Sequence, residues 1–381
     1  MKHHQLIFVY GFAIFAMFFG SGNLVFPLKI GQLAGNSWMF GFLGLFITAI
    51  LLPFLGLFVI KLHNGNYISF FAEGGKLATI ILPLFTLSLL GSFGVVPRCI
   101  TVAHGGINYL FSDFSLPLFS LLFSVLTYLI CLKDHIMINV LGKWMSPILL
   151  ISLGILIAVG IVHAPDTLPP VNTTTAFTQG FLTGYQTMDL FAAFFFSALI
   201  FRQIQAILPK TNDPLVIIKA ALKPSIAGAA MLAVVYLGFV FMGAHYGDMI
   251  KTVDPELMLP TIATHILGSS AALIIGAAMV FSCLTTAVAL NNIYARYIVD
   301  SLKLTPSVFP WVLLATTAAA FMISLLDFKG IAGFLSPILD VSYPGLIVLT
   351  ALSIATKGHK PLKIWLFYSI TLIMIVHKIF S

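Results

Sequence analysis

Of the 381 residues, 60% are hydrophobic and only 8% charged, against roughly 45–50% and 25% in ordinary soluble domains. Repeated apolar runs of about 18 residues or more between short polar loops predict an all-α polytopic membrane protein. The net charge of +7 is scattered over those loops without a basic stripe, which excludes a nucleic-acid partner.

In chain order the predicted spans are 7–30, 38–61, 79–103, 116–132, 144–163, 177–201, 220–244, 269–296, 308–326, 331–355 and 362–376, eleven in all. A shorter helix over 257–267 is expected to lie on an outer face. The first run is too long, and lacks the cleavage pattern, for a removable signal peptide. It carries FFGSGNLVFP, from Phe18 to Pro27, at and beyond its middle. Two glycines, a serine, an asparagine and a proline weaken a helix, and hydrocarbon does not tolerate unpaired backbone. Such a segment belongs where it lines a cavity inside the protein, so the first helix is expected to unwind around Gly20–Asn23.

The third span holds Pro97 and Arg98, the single cation deep in a span; it has the choice of pairing with an aspartate, holding a carboxylate or, as the ordinary fate of such a side chain, snorkelling to the outer interface, and it is not counted among the expected substrate residues. The fifth opens on Met145-Ser146-Pro147-Ile148-Leu149 and the tenth on Leu335-Ser336-Pro337-Ile338-Leu339. The two copies run in opposite directions through the membrane, as a five-plus-five inverted repeat requires. The chain then reads as one transmembrane transporter domain, 1–381, with repeats over about 7–163 and 177–355 and an extra helix at 362–376.

The sixth span is polar at its centre, Thr183-Gly184-Tyr185-Gln186-Thr187-Met188-Asp189, and so is the eighth, Phe281-Ser282-Cys283-Leu284-Thr285-Thr286-Ala287. At a rise of about 1.5 Å per residue, Phe19, Asp189 and Cys283 lie within a turn or two of the bilayer midplane. Polar interruptions from three helices at one depth predict a buried site built from discontinuous helices. An unwound first helix frees carbonyls for a cation and amides for an anion, and the hydroxyls of Thr285 and Thr286 add oxygens suited to a hard monovalent ion. A carboxylate at membrane depth is a functional candidate by default. Asp189 has the choice of neutralising a substrate ammonium or coupling ion, carrying a proton, or capping a half-helix. Asp340, before Tyr343-Pro344 and an expected second break, has the choice of a functional role or of satisfying loosened backbone.

With the N-terminus placed in the cytoplasm, fourteen Lys and Arg fall on inner segments and four on outer ones, which orients the chain and puts the C-terminus outside. Cys99, Cys131 and Cys283 lie within apolar runs without CxxC spacing, and the ten histidines lack ligand spacing, so no disulfide framework or metal-ligating cluster is implied. There is no Walker loop, GxSxG or soluble segment large enough for a catalytic domain, which excludes an ATP-driven pump within the chain and an enzyme.

The stretches FAMFFGSGNLVFP, VPRCITV, GYQTMDLFAA, SCLTTAVAL and GFLSPILDVSYPGLIVL resemble the branched-chain amino acid:cation symporter family, the LIVCS or BrnQ-type transporters, from Phe12 to about Leu352. That family is similar in turn to the LeuT-like, APC-type transporters, whose first helix carries GNxxRFP. Gly22-Asn23-Leu24-Val25-Phe26-Pro27 matches that pattern without its arginine. The resemblance implies a LeuT-like fold with discontinuous helices 1 and 6. It also implies import of leucine, isoleucine and valine across the bacterial inner membrane, coupled to sodium, with no further cofactor and no obligate protein partner. It places sodium on the carbonyls of Ala16, Phe19 and Ser282 and the hydroxyls of Thr285 and Thr286. The substrate carboxylate is expected at Gly20, Ser21, Gly22 and Asn23, and its ammonium around Tyr185, Thr187 and Asp189. Proton coupling through Asp189 or Asp340, another apolar substrate such as methionine, and less favourably a channel, are the alternatives.

Overall fold

The computed structural model describes residues 3–108, 111, 114–132, 145–207, 214–356 and 358–380. Lys2, Lys133, Lys143, Lys210 and Lys357, counted as inner in the expected charge asymmetry, lie outside these, as does position 144 of the fifth span.

The first span is two helices, α1 (His3–Phe18) and α2 (Ser21–Ala34), separated at Phe19 and Gly20. The second is α3 (Trp38–Phe46) and α4 (Leu52–Leu62), joined through a turn of π-helix at Ile47–Leu51. After the short α5 (Tyr67–Phe71), the third span is again divided, into α6 (Lys76–Leu90) and α7 (Val95–Asn108). α8 (Leu116–Cys131) and α9 (Met145–Val162) complete the first half. The sixth span is α10 (Thr173–Gln186) and α11 (Asp189–Ile207), the pair bent by 46° over Thr173–Gln186 and Asp189–Arg202. α12 (Pro214–His245), the short α13 (Met258–Leu267) at the place expected for it, α14 (Ser269–Ser301), α15 (Phe309–Ser324), α16 (Asp327–Ala355) and α17 (Lys360–Phe380) follow.

Helix thus occupies all eleven expected positions. By length and apolarity alone, seven stretches among the described residues suffice to cross a membrane, or eight with the bent pair taken as one span. The lower figure has a physical origin. Ser21–Leu62 scores as one apolar stretch, yet it folds back at Gly35–Ser37, where Gly41 comes against Ile30 and Ala34. Leu116–Cys131 and Pro147–Val162 are each shorter than 18 residues.

Three corrections bear on the site. The eighth span is not interrupted: α14 runs unbroken through Ser282–Thr286. The tenth is not broken at Tyr343-Pro344 either, since α16 continues past Pro337 and Pro344. The third span carries a break instead, at Gly91–Gly94. There a Cβ on Gly91 would lie 2.6 Å from the Tyr294 ring, and Ser92 Oγ donates to the Thr316 carbonyl at 2.8 Å.

Glycine sets how closely the helices approach. A Cβ on Gly180 of α10 would fall 2.0 Å from the Gly41 carbonyl oxygen of α3, and one on Gly31 of α2 would fall 2.0 Å from that of Val240 in α12. In lipid there is no hydrophobic drive between helices, so contact of this kind holds them together. Residues facing away from the bundle are large and apolar: Leu118, Leu121, Leu122, Val125 and Leu129 of α8 are all exposed. On a surface bathed in acyl chains that is the expected dressing. Two lysines assigned to inner loops are buried. Lys61 reaches Ser225 Oγ at 2.5 Å and the Ala221 carbonyl at 3.3 Å, and Lys363 pairs with Glu73 at 2.7 Å.

Candidate functional site

The two broken spans expected from the sequence meet at their breaks. α1 ends where the Gly20 N–H bonds the Phe18 carbonyl at 2.9 Å, and α2 begins at Ser21 with Gly20 as its N-cap. The unwound point is therefore Phe19–Gly20. Ser21, Gly22 and Asn23 form the first turn of α2, a correction of about one turn to the expected loop. That turn still presents amide donors, because the first N–H groups of a helix have no intrahelical partner.

In the sixth span Thr187 and Met188 separate the half-helices, and Met188 holds a left-handed φ of 60°. For a non-glycine residue that conformation costs about 1–3 kcal/mol, and such strain concentrates at ligand sites and switches. Asp189 is the first residue of α11.

Asn23 joins the two breaks. Its Oδ1 accepts from the Gly20 N–H at 3.2 Å, while its Nδ2 donates to Asp189 Oδ2 at 2.8 Å and to the Tyr236 hydroxyl. Tyr236 in turn donates to Asp189 Oδ2 at 3.1 Å. The carboxylate is buried, 3% exposed, and is held by side chains from α2 and α12 rather than bonded back onto its own half-helix. Tyr236 escaped the sequence reading. Its signal was a phenol in mid-span at the depth of Asp189, masked by the uniformly apolar residues around it.

α14 packs against the same breaks. Ser282 Oγ donates to the Phe19 carbonyl at 2.6 Å, and Thr285 Oγ1 to the Ser282 carbonyl at 2.8 Å. Thr286 Oγ1 is buried with no partner among the described residues. A Cβ on Gly20 would lie 2.9 Å from Thr286 Cγ2, so only glycine lets the break rest on α14.

The proposed ion ligands divide between two cavities. Ala16, Phe19, Ser282 and Thr285 line one of about 350 Å³, beside α9. Thr286, successive to Thr285 and so about 100° round the helix, faces a second with Gly20, Asn23, Thr187 and Asp189. This one measures about 10 Å³, room for about one water. Leu90 and Val95, flanking the break in the third span, also line it. The signal for that break was Gly91-Ser92-Phe93-Gly94 in an apolar run.

The other expected substrate residues sit as follows. Thr187 Oγ1 donates to the Gly184 carbonyl at 2.9 Å. Gly22 lies against the break of the sixth span, where a Cβ would stand 3.3 Å from Thr187 Cα. Ser21 Oγ accepts from Cys99 Sγ at 3.6 Å. Tyr185 is not brought to the cluster: its ring stacks on Tyr343 at 4.6 Å and lines a separate cavity of about 220 Å³ with Asp340 and Lys378. Asp340 pairs with Lys378 at 3.1 Å, so it is a paired ion rather than a cap on loosened backbone. Arg98 does not snorkel; it is fully buried and donates from Nη1 to the Gln186 carbonyl at 2.6 Å.

Among known proteins, the family described as "Branched-chain amino acid transport protein" matches residues 3–381. The branched-chain amino acid permease BraB of Bacillus subtilis (strain 168) is 28% identical over 94% of this chain and 83% of its own. BrnQ of the same organism is 28% identical over 92% and 82%. Among solved structures, Mhp1, a nucleobase-cation-symport-1 family transporter in a closed conformation with bromovinylhydantoin bound, superposes with a TM-score of 0.64 at 14% identity, over 98% of this chain and 91% of that one. MhsT in complex with L-phenylalanine gives 0.60 at 17%, over 97% of each. Both are LeuT-fold transporters, and the architecture here is that fold.

Proposed function

The chain belongs to the branched-chain amino acid transport protein family, and from that premise we propose that it imports leucine, isoleucine or valine with a sodium ion by alternating access. It is a transporter and not an enzyme. The observation that carries the reading is the convergence of α2 and α11 on one cavity with the unpartnered Thr286 hydroxyl. Helix N-termini supply amides and a positive dipole end, suited to a substrate carboxylate. The Asp189 carboxylate, within the same cluster, suits its ammonium.

The donor set on the other side of α14 fits a monovalent cation. Carbonyls of Ala16, Phe19 and Ser282 and the Thr285 hydroxyl are neutral oxygens, the hard ligands such an ion takes. For the ion to bind, the Ser282 and Thr285 hydroxyls turn their protons away from the Phe19 and Ser282 carbonyls, which frees those oxygens. At about 10 Å³ the central cavity is closed around the site. Admission of an amino acid therefore requires the bundle of α1–α4 and α10–α12 to part from the helices packed on it. Occupants drive that exchange only through their differential affinity for the two arrangements.

Proton coupling is the second reading, favoured by the burial of Asp189 between Asn23 and Tyr236. Uptake of labelled leucine into proteoliposomes under an imposed sodium gradient, or a proton gradient alone, decides between them. Uptake that requires inward sodium supports the first. Uptake driven by protons alone moves the coupling to Asp189. No uptake of leucine, isoleucine or valine under either gradient rejects the proposed substrate.

A further inference from the structure

Arg98 is the largest fully buried side chain among the described residues. Its Nη1 is fixed on the carbonyl of Gln186, the last residue of α10, where the negative end of the half-helix favours a cation. The guanidinium also stands over the Phe26 ring of α2, 5.5 Å from its centroid. Nε and Nη2 are buried and make no hydrogen bond among the described residues. These two nitrogens are not a random pair. Nη1 lies on the same side of the guanidinium as Cδ, so Nε–H and one Nη2–H point in parallel along the opposite edge. That edge is the fork that receives both oxygens of a carboxylate.

One carbonyl and a ring face do not neutralise a buried unit charge, whose desolvation is repaid only by a well-placed anion. Among the described residues no carboxylate lies within 4 Å of the guanidinium. Asp189 is within electrostatic range, but its carboxylate is engaged by Asn23 and Tyr236. The fork thus has the geometry that suits a carboxylate and no carboxylate partner among the described residues. Arg98 stands on α7 against the end of α10 and the Phe26 ring of α2.

We propose that the Nε/Nη2 edge of Arg98 binds the carboxylate of the incoming amino acid, as a station on the route to the first turn of α2. The ligand is a small zwitterion with an apolar side chain, and this assignment rests on the transport reading above. The Oε1 atom of Gln186, the residue whose carbonyl holds Nη1, is also buried with no partner among the described residues and is the acceptor the proposal assigns to the ligand's ammonium. Arg98 then selects for the carboxylate, separately from whatever selects the side chain.

The test is equilibrium binding of L-leucine and of L-leucinamide, which keeps the ammonium and side chain but lacks the carboxylate, to the purified full chain. The wild type should prefer leucine strongly. Arg98→Gln should lose about 10- to 100-fold of that preference, as expected for a charge-assisted pair, with little change in leucinamide affinity. Arg98→Lys keeps the buried charge without the fork and should fall between the two. It also serves as the variant should Arg98→Gln fail to fold. A preference for leucine unchanged in both variants overturns the proposal, leaving the fork to a partner within the chain, while the transport reading stands. A wild type that binds none of leucine, isoleucine or valine overturns the transport reading itself and this inference with it.

Discussion

Asn23 and Asp189, 166 residues apart in the chain, are joined by a 2.8 Å hydrogen bond between the first turns of two half-helices. The bond ties the first span to the sixth across the cavity both help to line. Tyr236 supplies the third corner, so the carboxylate is held from two helices at once.

Tyr236→Phe removes one of the two donors to the Asp189 carboxylate and keeps the ring. A lost hydrogen bond to a charged group is worth about 1.5–3 kcal/mol, or roughly 10- to 100-fold. Leucine affinity should fall by that factor while the sodium concentration for half-activation stays put, as read from uptake in proteoliposomes at varied leucine and sodium. A shift in sodium activation with leucine affinity intact would mean that Asp189 belongs to the ion.

Thr285→Ala should do the reverse. Its hydroxyl lines the larger cavity with Ala16, Phe19 and Ser282, and the expected result is sodium activation weakened about tenfold, one oxygen ligand's share. The ratio of leucine to valine uptake should not move. Sodium activation identical to wild type sinks the assignment of this cavity to the ion.

Gly20→Ala should damage the protein, since its Cβ would meet Thr286 at 2.9 Å and overpacking of this kind costs about 1–3 kcal/mol. Gly154→Ala is the matched control: nothing lies within 4 Å of its Cβ position. It should leave the melting temperature unchanged or raised, as alanine is the better helix former. Thermal unfolding of the two proteins gives the comparison, and equal melting temperatures would show that the break does not rest on α14.

Glu73 and Lys363 pair at 2.7 Å where α17 meets the segment after α5, the lysine side chain only 4% exposed. Glu73→Gln leaves that ammonium buried and uncompensated, which should destabilise by about 2–4 kcal/mol. Glu73→Gln with Lys363→Met removes both charges and should be milder than the single change. A double variant worse than Glu73→Gln alone would point to a role for Lys363 beyond the pair.

Much of this was legible in the sequence for particular reasons. Gly20 and Gly22 beside Asn23 in an apolar run can hardly continue a helix in lipid, so the first break announced itself, though one turn late. Thr187–Asp189 marked the second. Polar side chains without helix breakers misled: Ser282 bonds across to Phe19, Thr285 bonds back to Ser282 and Thr286 bonds nothing among the described residues, all without disturbing α14, and Pro344 sits in a helix that continues past it. The break at Gly91–Gly94 was passed over because both neighbouring halves are apolar enough to read as one span. Tyr185 illustrates a further limit. It lies two residues from Thr187, yet its place on α10 turns it to Tyr343 and away from the cluster, and nothing local to the sequence fixes that rotation.

Thr285 and Thr286 are consecutive residues on one unbroken helix, and each faces a different cavity. A single rigid turn is therefore a shared wall. It cannot shift to suit an occupant on one side without altering the space offered on the other. Thermodynamic reciprocity follows: by whatever factor the first guest tightens the binding of the second, the second tightens the first by the same factor. The two ligands of such a wall are bookkeepers of each other's occupancy, and titrating either one reports on both.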